Sequence, residues 1–121
     1  MQHLMNMTRL GVFKVKPSQG TKCQCVVKGH TTYYYKAVVT FRDPVLDKRG
    51  FLIDHADLDR FITGYYKNKP IPSCEVMVRT LAEHVANWLK KQHMPAFSVF
   101  IQLASIPEGS QGYVNTTYFP E

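Results

Sequence analysis

The residues of this chain that could carry out chemistry are few and widely spaced. Cys23 and Cys25 stand two positions apart, and Asp54 directly precedes His55. A Cys-x-Cys pair is tighter than the usual zinc-binding spacing, and no second cysteine pair follows it. An Asp–His pair can act as a general acid–base couple, but Asp54 also suits the N-cap of a helix. Asp54 and His55 therefore support two hypotheses, general acid–base catalysis and helix capping.

Cysteine usage and hydropathy bear on where the protein works. The chain has three cysteines, and an odd count argues against a disulfide framework, so we expect reduced thiols and a cytoplasmic location. The N-terminal residues lack the apolar core of a secretory signal. No apolar run approaches the ~20 residues that a membrane helix needs. We therefore predict no association with membranes.

Composition fits a single globular domain over residues 1–121, with residues 1–8 as a disordered tail. Hydrophobic residues make up 45% of the chain and aromatic residues 12%, enough to build a core. The net charge of +6 allows contact with phosphates, although the basic residues are scattered. One hypothesis is a basic β-sheet module that binds nucleic acid by stacking bases on Tyr33–Tyr35. We favour cross-strand packing for these tyrosines.

Hydrophobic periodicity predicts strands at both ends of the chain. The predicted strands cover Leu10–Lys16, Thr31–Phe41, Phe97–Ala104 and Tyr113–Phe119, with a shorter β-prone stretch at Lys22–Val27. If Lys22–Val27 and Tyr113–Phe119 lie at the outside of the sheet, their unpaired backbone edges favour association with another copy.

Two helices are predicted between the strands. Asp54 can cap the first helix, with Asp57 placed as in a capping box and Gly64 able to end it. Ser73 can cap the second, and Glu75 lies in its first turn, where negative charge is favourable. The second helix carries the strongest amphipathic pattern in the chain. The element order ββααββ indicates an α+β fold.

Several short motifs occur in the order that one enzyme family shows. Gly29-His30, Asp43-Pro44, the segment Gly50–Leu58 and the segment Pro72–Glu75 together resemble the 6-pyruvoyl- and 6-carboxytetrahydropterin synthases, which have the tunnelling fold. The resemblance implies a four-stranded antiparallel sheet with two helices on one face. It also implies that sheets of several subunits join edge to edge into a barrel, giving a trimer or hexamer.

The zinc ligands that the resemblance implies are mostly replaced. The family holds zinc with three histidines, two of them in a His-Gly-His motif. His30 matches one of these, and Lys28 replaces another. No histidine stands where the first-strand ligand should be. A single ligand does not hold zinc, and a lysine adds a repelling charge. His30 is therefore the only candidate metal ligand, and we expect no cofactor.

The catalytic and ring-binding residues of the family are also altered. Its cysteine would fall at Gln24, so Cys25 becomes a candidate only through a slip of one residue in the strand. Asp54 and His55 match the family's Asp–His relay only in an alternative alignment. Leu103 replaces the glutamate that anchors the pterin ring. Gln102, which is next to Leu103 but faces the opposite way, and Glu75 in the second helix are the candidate ligand-binding residues.

These substitutions favour a repurposed or non-catalytic homologue of the tetrahydropterin synthases. We expect a homo-oligomer that retains a cleft for a purine- or pterin-like ligand at its subunit interfaces. Two alternatives stay open. The first is a divergent zinc-dependent tetrahydropterin synthase, a lyase, and the second is the nucleic-acid-binding module, which is not favoured.

Overall fold

A computed structural model describes residues 2–15, 32–104 and 112–120. The described elements are β1 (Leu4–Lys14), β2 (Thr32–Arg42), α1 (His55–Tyr65), α2 (Cys74–Lys91), β3 (Ser98–Ala104) and β4 (Val114–Tyr118). The four strands form one sheet in the order β1-β2-β3-β4, and each neighbouring pair is antiparallel. The predicted α+β fold with the order ββααββ is confirmed.

Strand β1 begins earlier than the sequence pattern suggests. Residues 1–8 were expected to form a disordered tail, but Leu4 and Met5 already pair with β2, and Met7 is buried. Asp43 fixes the start of this strand because its carboxylate accepts hydrogen bonds from the backbone N–H groups of Gln2 and His3, at 2.9 and 2.8 Å. The tail prediction is therefore wrong from Leu4 onward.

Alternation along β2 separates the two faces of the sheet. Its odd-numbered residues from Tyr33 to Phe41 are buried, whereas the even-numbered residues up to Thr40 are half-buried. The buried side faces the helices: α1 packs mainly on β1, and α2 packs on β3 and β4. Both helices thus cover the same face, as predicted, and none of the described helices covers the other.

The helix boundaries follow the predicted caps. The Asp54 side chain accepts a hydrogen bond from the Ala56 N–H at 2.8 Å, and Ser73 accepts one from the Val76 N–H at 3.3 Å. The capping box at Asp57 is not formed, since its carboxylate pairs with the Arg60 guanidinium. Helix α1 also continues one residue beyond Gly64, to Tyr65.

The core lies between the sheet and the helices, and α2 supplies most of the helical part. Its apolar stripe includes Val78, Leu81, Val85 and Leu89, all of which are buried. These residues recur every three or four positions and so share one face of the helix. Within the described residues, no helix is long and apolar enough to cross a membrane.

Candidate functional site

The residues that the sequence marked for catalysis lie at the start of α1 or outside the described part of the chain. The Asp54 carboxylate is occupied as the N-cap of α1. His55 is exposed and lines a shallow cleft of about 280 Å³ with Arg49 and Phe51. No hydrogen bond between the Asp54 and His55 side chains occurs among the described residues. Asp54 is thus engaged as a cap, the second of the two hypotheses for this segment.

Cys25 and His30 lie outside the described residues, so the structure does not place the candidate thiol or the candidate metal ligand. No group of three His, Cys, Asp or Glu side chains that could hold a metal ion occurs in residues 2–15, 32–104 and 112–120. The zinc alternative therefore stays untested.

The third cysteine corrects one expectation. Cys74, the first residue of α2, is fully buried and disulfide-bonded, and its partner lies outside the described residues. The prediction of reduced thiols is wrong at this position.

The two candidate ligand-binding residues lie in different layers. Glu75 is exposed in the first turn of α2, in the helical layer. Gln102 is on the face of the sheet opposite α1 and α2, which we call the uncovered face because no described helix packs on it. It is in register with Lys36 of β2 and Asn115 of β4. Leu103, next to Gln102, is fully buried on the helix side, as its alternation predicted. The structure therefore does not bring Gln102 and Glu75 into one site.

Gln102 lines a cleft of about 200 Å³ on the uncovered face of the sheet. Tyr34, Lys36, Ala104 and Tyr113 also line this cleft. The cleft combines an ammonium group, a carboxamide and two phenol rings. These are groups suited to hold a flat polar molecule by stacking and hydrogen bonds.

The surroundings of the cleft are apolar although they face away from the helices. Leu10 and Val12 of β1 are 61% and 51% exposed, and Val38 and Phe100 are half-buried in the neighbouring strands. Contiguous exposed apolar surface of this kind marks binding or association sites in soluble proteins.

The three consecutive tyrosines do not act as one surface. Tyr33 and Tyr35 are buried beneath the helices, and Tyr33 stacks on Phe13 with ring centroids 5.3 Å apart. Phe13 is its cross-strand partner in β1, so the favoured interpretation of cross-strand packing is confirmed for Tyr33. Only Tyr34 faces the uncovered side, and a stacking platform of three tyrosines for nucleic acid is not formed.

A polar cluster that the sequence analysis missed lies beneath α1. The Tyr35 hydroxyl donates to Asp59 Oδ1 at 2.5 Å, and Arg9 Nε lies 3.8 Å from the same oxygen. Burial, followed by the hydrogen bond to Asp59, raises the pKa of the Tyr35 phenol well above its ordinary value. The phenol is therefore protonated and serves as a donor over the whole neutral range.

A signal for this cluster was present in the sequence. Asp59 follows Leu58 and precedes Ile62 by three residues, which places a carboxylate beside the buried stripe of α1. Such a group needs a partner when it is partly buried. Gly11 makes the contact with Tyr35 sterically feasible, because a Cβ atom there would come within 2.5 Å of Tyr35 Cε2.

Comparison with known proteins adds no family assignment: no protein-family model matches the chain, and no curated protein does.

Proposed function

We propose that this chain is a non-catalytic relative of the tetrahydropterin synthases that assembles as a homo-oligomer and binds a flat purine- or pterin-like molecule. The observation that carries the proposal is that the described helices pack on only one face of the sheet. Both helices cover one face, and the opposite face carries exposed apolar residues around a polar cleft at Gln102. The element order is the one that the resemblance implies.

The strand order supports the assembly. Within the described residues, β1 and β4 each pair with a single neighbour, so both outer strands offer unpaired backbone groups. Unpaired edges favour pairing with strands of another copy. Joining of β4 to β1 of the next subunit would continue the sheet and enclose its uncovered face, which would remove Leu10 and Val12 from water.

Replacement of the family's functional residues supports a non-catalytic role. Lys28 and Leu103 stand where the resemblance implies a zinc ligand and a ring-anchoring carboxylate, and Leu103 is buried. Asp54 is engaged as a helix cap. Catalysis would need independent replacements for each of these groups within one pocket.

The assembly is tested by the mass of the purified protein. Light scattering at micromolar concentration should give a trimer or hexamer, and a clean monomer would refute edge-to-edge assembly. Thr116→Pro and Thr117→Pro form a matched pair in β4, because consecutive residues of a strand direct their N–H groups to opposite sides. One variant should stay folded but become monomeric, and the other should lose its pairing with β3. If both keep the oligomeric mass, the edge of β4 is not the interface.

Binding and catalysis are tested on the same preparation. Titration with fluorescent pterin should show saturable binding that Gln102→Leu weakens, while Glu75→Leu, in the other layer, leaves it unchanged. Metal analysis should show no stoichiometric zinc in protein purified without added metal. Stoichiometric zinc together with turnover of dihydroneopterin triphosphate would establish the synthase alternative instead.

A further inference from the structure

We infer that the cleft on the uncovered face binds a planar heterocycle that carries an anionic group, and that Lys36 is the residue that holds the anion. The inference deepens the proposed function, and it rests on the part of it that places a flat heterocycle at Gln102. It does not depend on the assembly, because all the residues involved belong to one subunit.

Register places Lys36 at the centre of the face. Leu10, Lys36, Gln102 and Asn115 form one continuous row across β1, β2, β3 and β4. Directly opposed residues of an antiparallel sheet have Cβ atoms about 4.5–5.5 Å apart. The Lys36 stem is therefore held between Leu10 and Gln102, and its half-buried side chain lies over the sheet.

Lys36 is half-buried, and the described part of the chain offers it no carboxylate. None of the ion pairs among the described residues involves it. The described strand residues that face this side include Lys14, Lys36 and Arg42 but no Asp or Glu. An ammonium group on an apolar surface, with no carboxylate on the described strands of the same face, attracts an anion from solution.

The neighbours of Lys36 select an anion attached to a ring. Tyr34 lies two residues before Lys36 on the same face, and Tyr113 lines the same cleft. Ala104 pairs with Tyr34 across the strands and lines the same cleft, and its small side chain takes up little of the space there. The Gln102 amide can donate to the same anion or to a ring nitrogen. A flat ring between the tyrosines would thus place its acidic substituent at Lys36.

The test compares two molecules that differ by a single carboxylate. Purine and purine-6-carboxylate are titrated into the wild-type protein by isothermal calorimetry. The carboxylate adds a charged hydrogen bond to Lys36, so purine-6-carboxylate should bind about tenfold more tightly than purine. In Lys36→Met, which keeps the apolar stem, this preference should disappear while the affinity for purine is unchanged.

Lys14→Met is the matched control. It removes the same charge from the same face, but Lys14 is in register with Thr32 at the end of β1 and does not line the cleft. The preference for the carboxylate should persist in this variant. Loss of the preference in both variants would show that the basic residues of this face attract the carboxylate collectively, without a specific site, and would overturn the inference.

The remaining outcomes separate this inference from the proposed function. Equal affinity of the wild-type protein for the two purines would overturn the role of Lys36 and leave the heterocycle cleft standing. Binding of neither purine would overturn the anion site, and the titration with fluorescent pterin would decide separately whether the heterocycle cleft of the proposed function stands. Circular dichroism spectra that match the wild type establish that each variant is folded.

Discussion

Tyr35 on β2 and Asp59 on α1 are joined by a hydrogen bond of 2.5 Å from the phenol to Oδ1. The bond spans 24 residues of sequence and connects the sheet to the first helix. Arg9 of β1 lies 3.8 Å from the same carboxylate oxygen, so Asp59 is shared by two strands. These two contacts tie α1 to both β1 and β2.

The first prediction is that Tyr35→Phe destabilises the protein by about 1–2 kcal/mol. The substitution removes a donor to a charged acceptor, and the partial exposure of Asp59 lets water compensate some of the loss. Urea unfolding measures the change. Tyr34→Phe is the control, since Tyr34 faces the uncovered side, and it should change stability by less than about 0.5 kcal/mol. Equal effects of the two substitutions would contradict the importance of the Asp59 bond.

The second prediction concerns alkaline pH. The pKa of Tyr35 in the folded protein is raised above its ordinary value of 10.0, chiefly by burial. The folded state therefore holds this proton at pH values where the unfolded state has released it. The stabilisation is complete below pH 10 and is lost as the pH rises further. Wild-type protein should lose more stability between pH 9 and about 11 than Tyr35→Phe does, and parallel losses in urea titrations would refute the assignment.

The third prediction is that Gly11→Ala destabilises the protein by about 1–3 kcal/mol, the range for overpacking. The new Cβ would lie 2.5 Å from Tyr35 Cε2 and 2.7 Å from Asp59 Oδ1, so the ring and the carboxylate must both move. Gly64→Ala is the matched control, because a Cβ at that position in α1 meets no atom within 4 Å. It should stabilise the helix by about 0.5–1 kcal/mol. If Gly11→Ala leaves the free energy of unfolding unchanged, the Tyr35 ring and the Asp59 carboxylate can move without destabilising the protein, and the prediction is wrong.

The fourth prediction is that Leu81→Ala destabilises the protein by about 2–5 kcal/mol. Leu81 is fully buried on the apolar face of α2, and its truncation leaves a cavity against the sheet. Val76→Ala is the control in the same helix, because Val76 is 49% exposed. That change should stay within about 0.5 kcal/mol. Thermal unfolding measures both variants, and an unchanged melting temperature for Leu81→Ala would contradict the core position.

The sequence predicts those parts of the fold that depend on local periodicity. The α2 stripe around Leu81, the alternation of β3 and the caps at Asp54 and Ser73 each follow from residues within one or two turns or along one strand, and all were confirmed. The start of β1 was missed because the contact that holds it, between Asp43 and the backbone of Gln2 and His3, crosses about 40 residues of sequence.

The candidate site was predictable only in part, for the same physical reason. Gln102 was identified and lies in a cleft, but the role of Lys36 depends on cross-strand register, which brings it beside Gln102. Register is decided by the packing of whole strands rather than by any short motif. The sequence places Asp59 beside the buried stripe of α1, but it does not identify Tyr35 as the partner, since that depends on the position of α1 over the sheet.

The last prediction is that Asp43→Asn loosens the start of β1 and removes part of the acid sensitivity of the protein. Hydrogen bonds from the backbone of His3 and Gln2 hold the pKa of Asp43 below its ordinary value of 3.8. The stabilisation by the carboxylate is therefore complete above pH 3.8 and is lost as the pH falls through the lower, folded-state value. Asparagine tolerates the positive φ of 43° at this position, so the variant tests the charge rather than the backbone conformation.

Amide hydrogen exchange at pH 7 should show faster exchange for Met5 in Asp43→Asn, because the anchor of the strand is weakened and the Met5 N–H is the one that points to β2. Urea midpoints measured at pH 7 and at about pH 3 should differ less in the variant than in the wild type. Glu83→Gln, which removes one charge from an exposed position of α2, should leave the exchange of Met5 unchanged. Wild-type exchange at Met5 in Asp43→Asn would show that pairing with β2 alone holds the first strand.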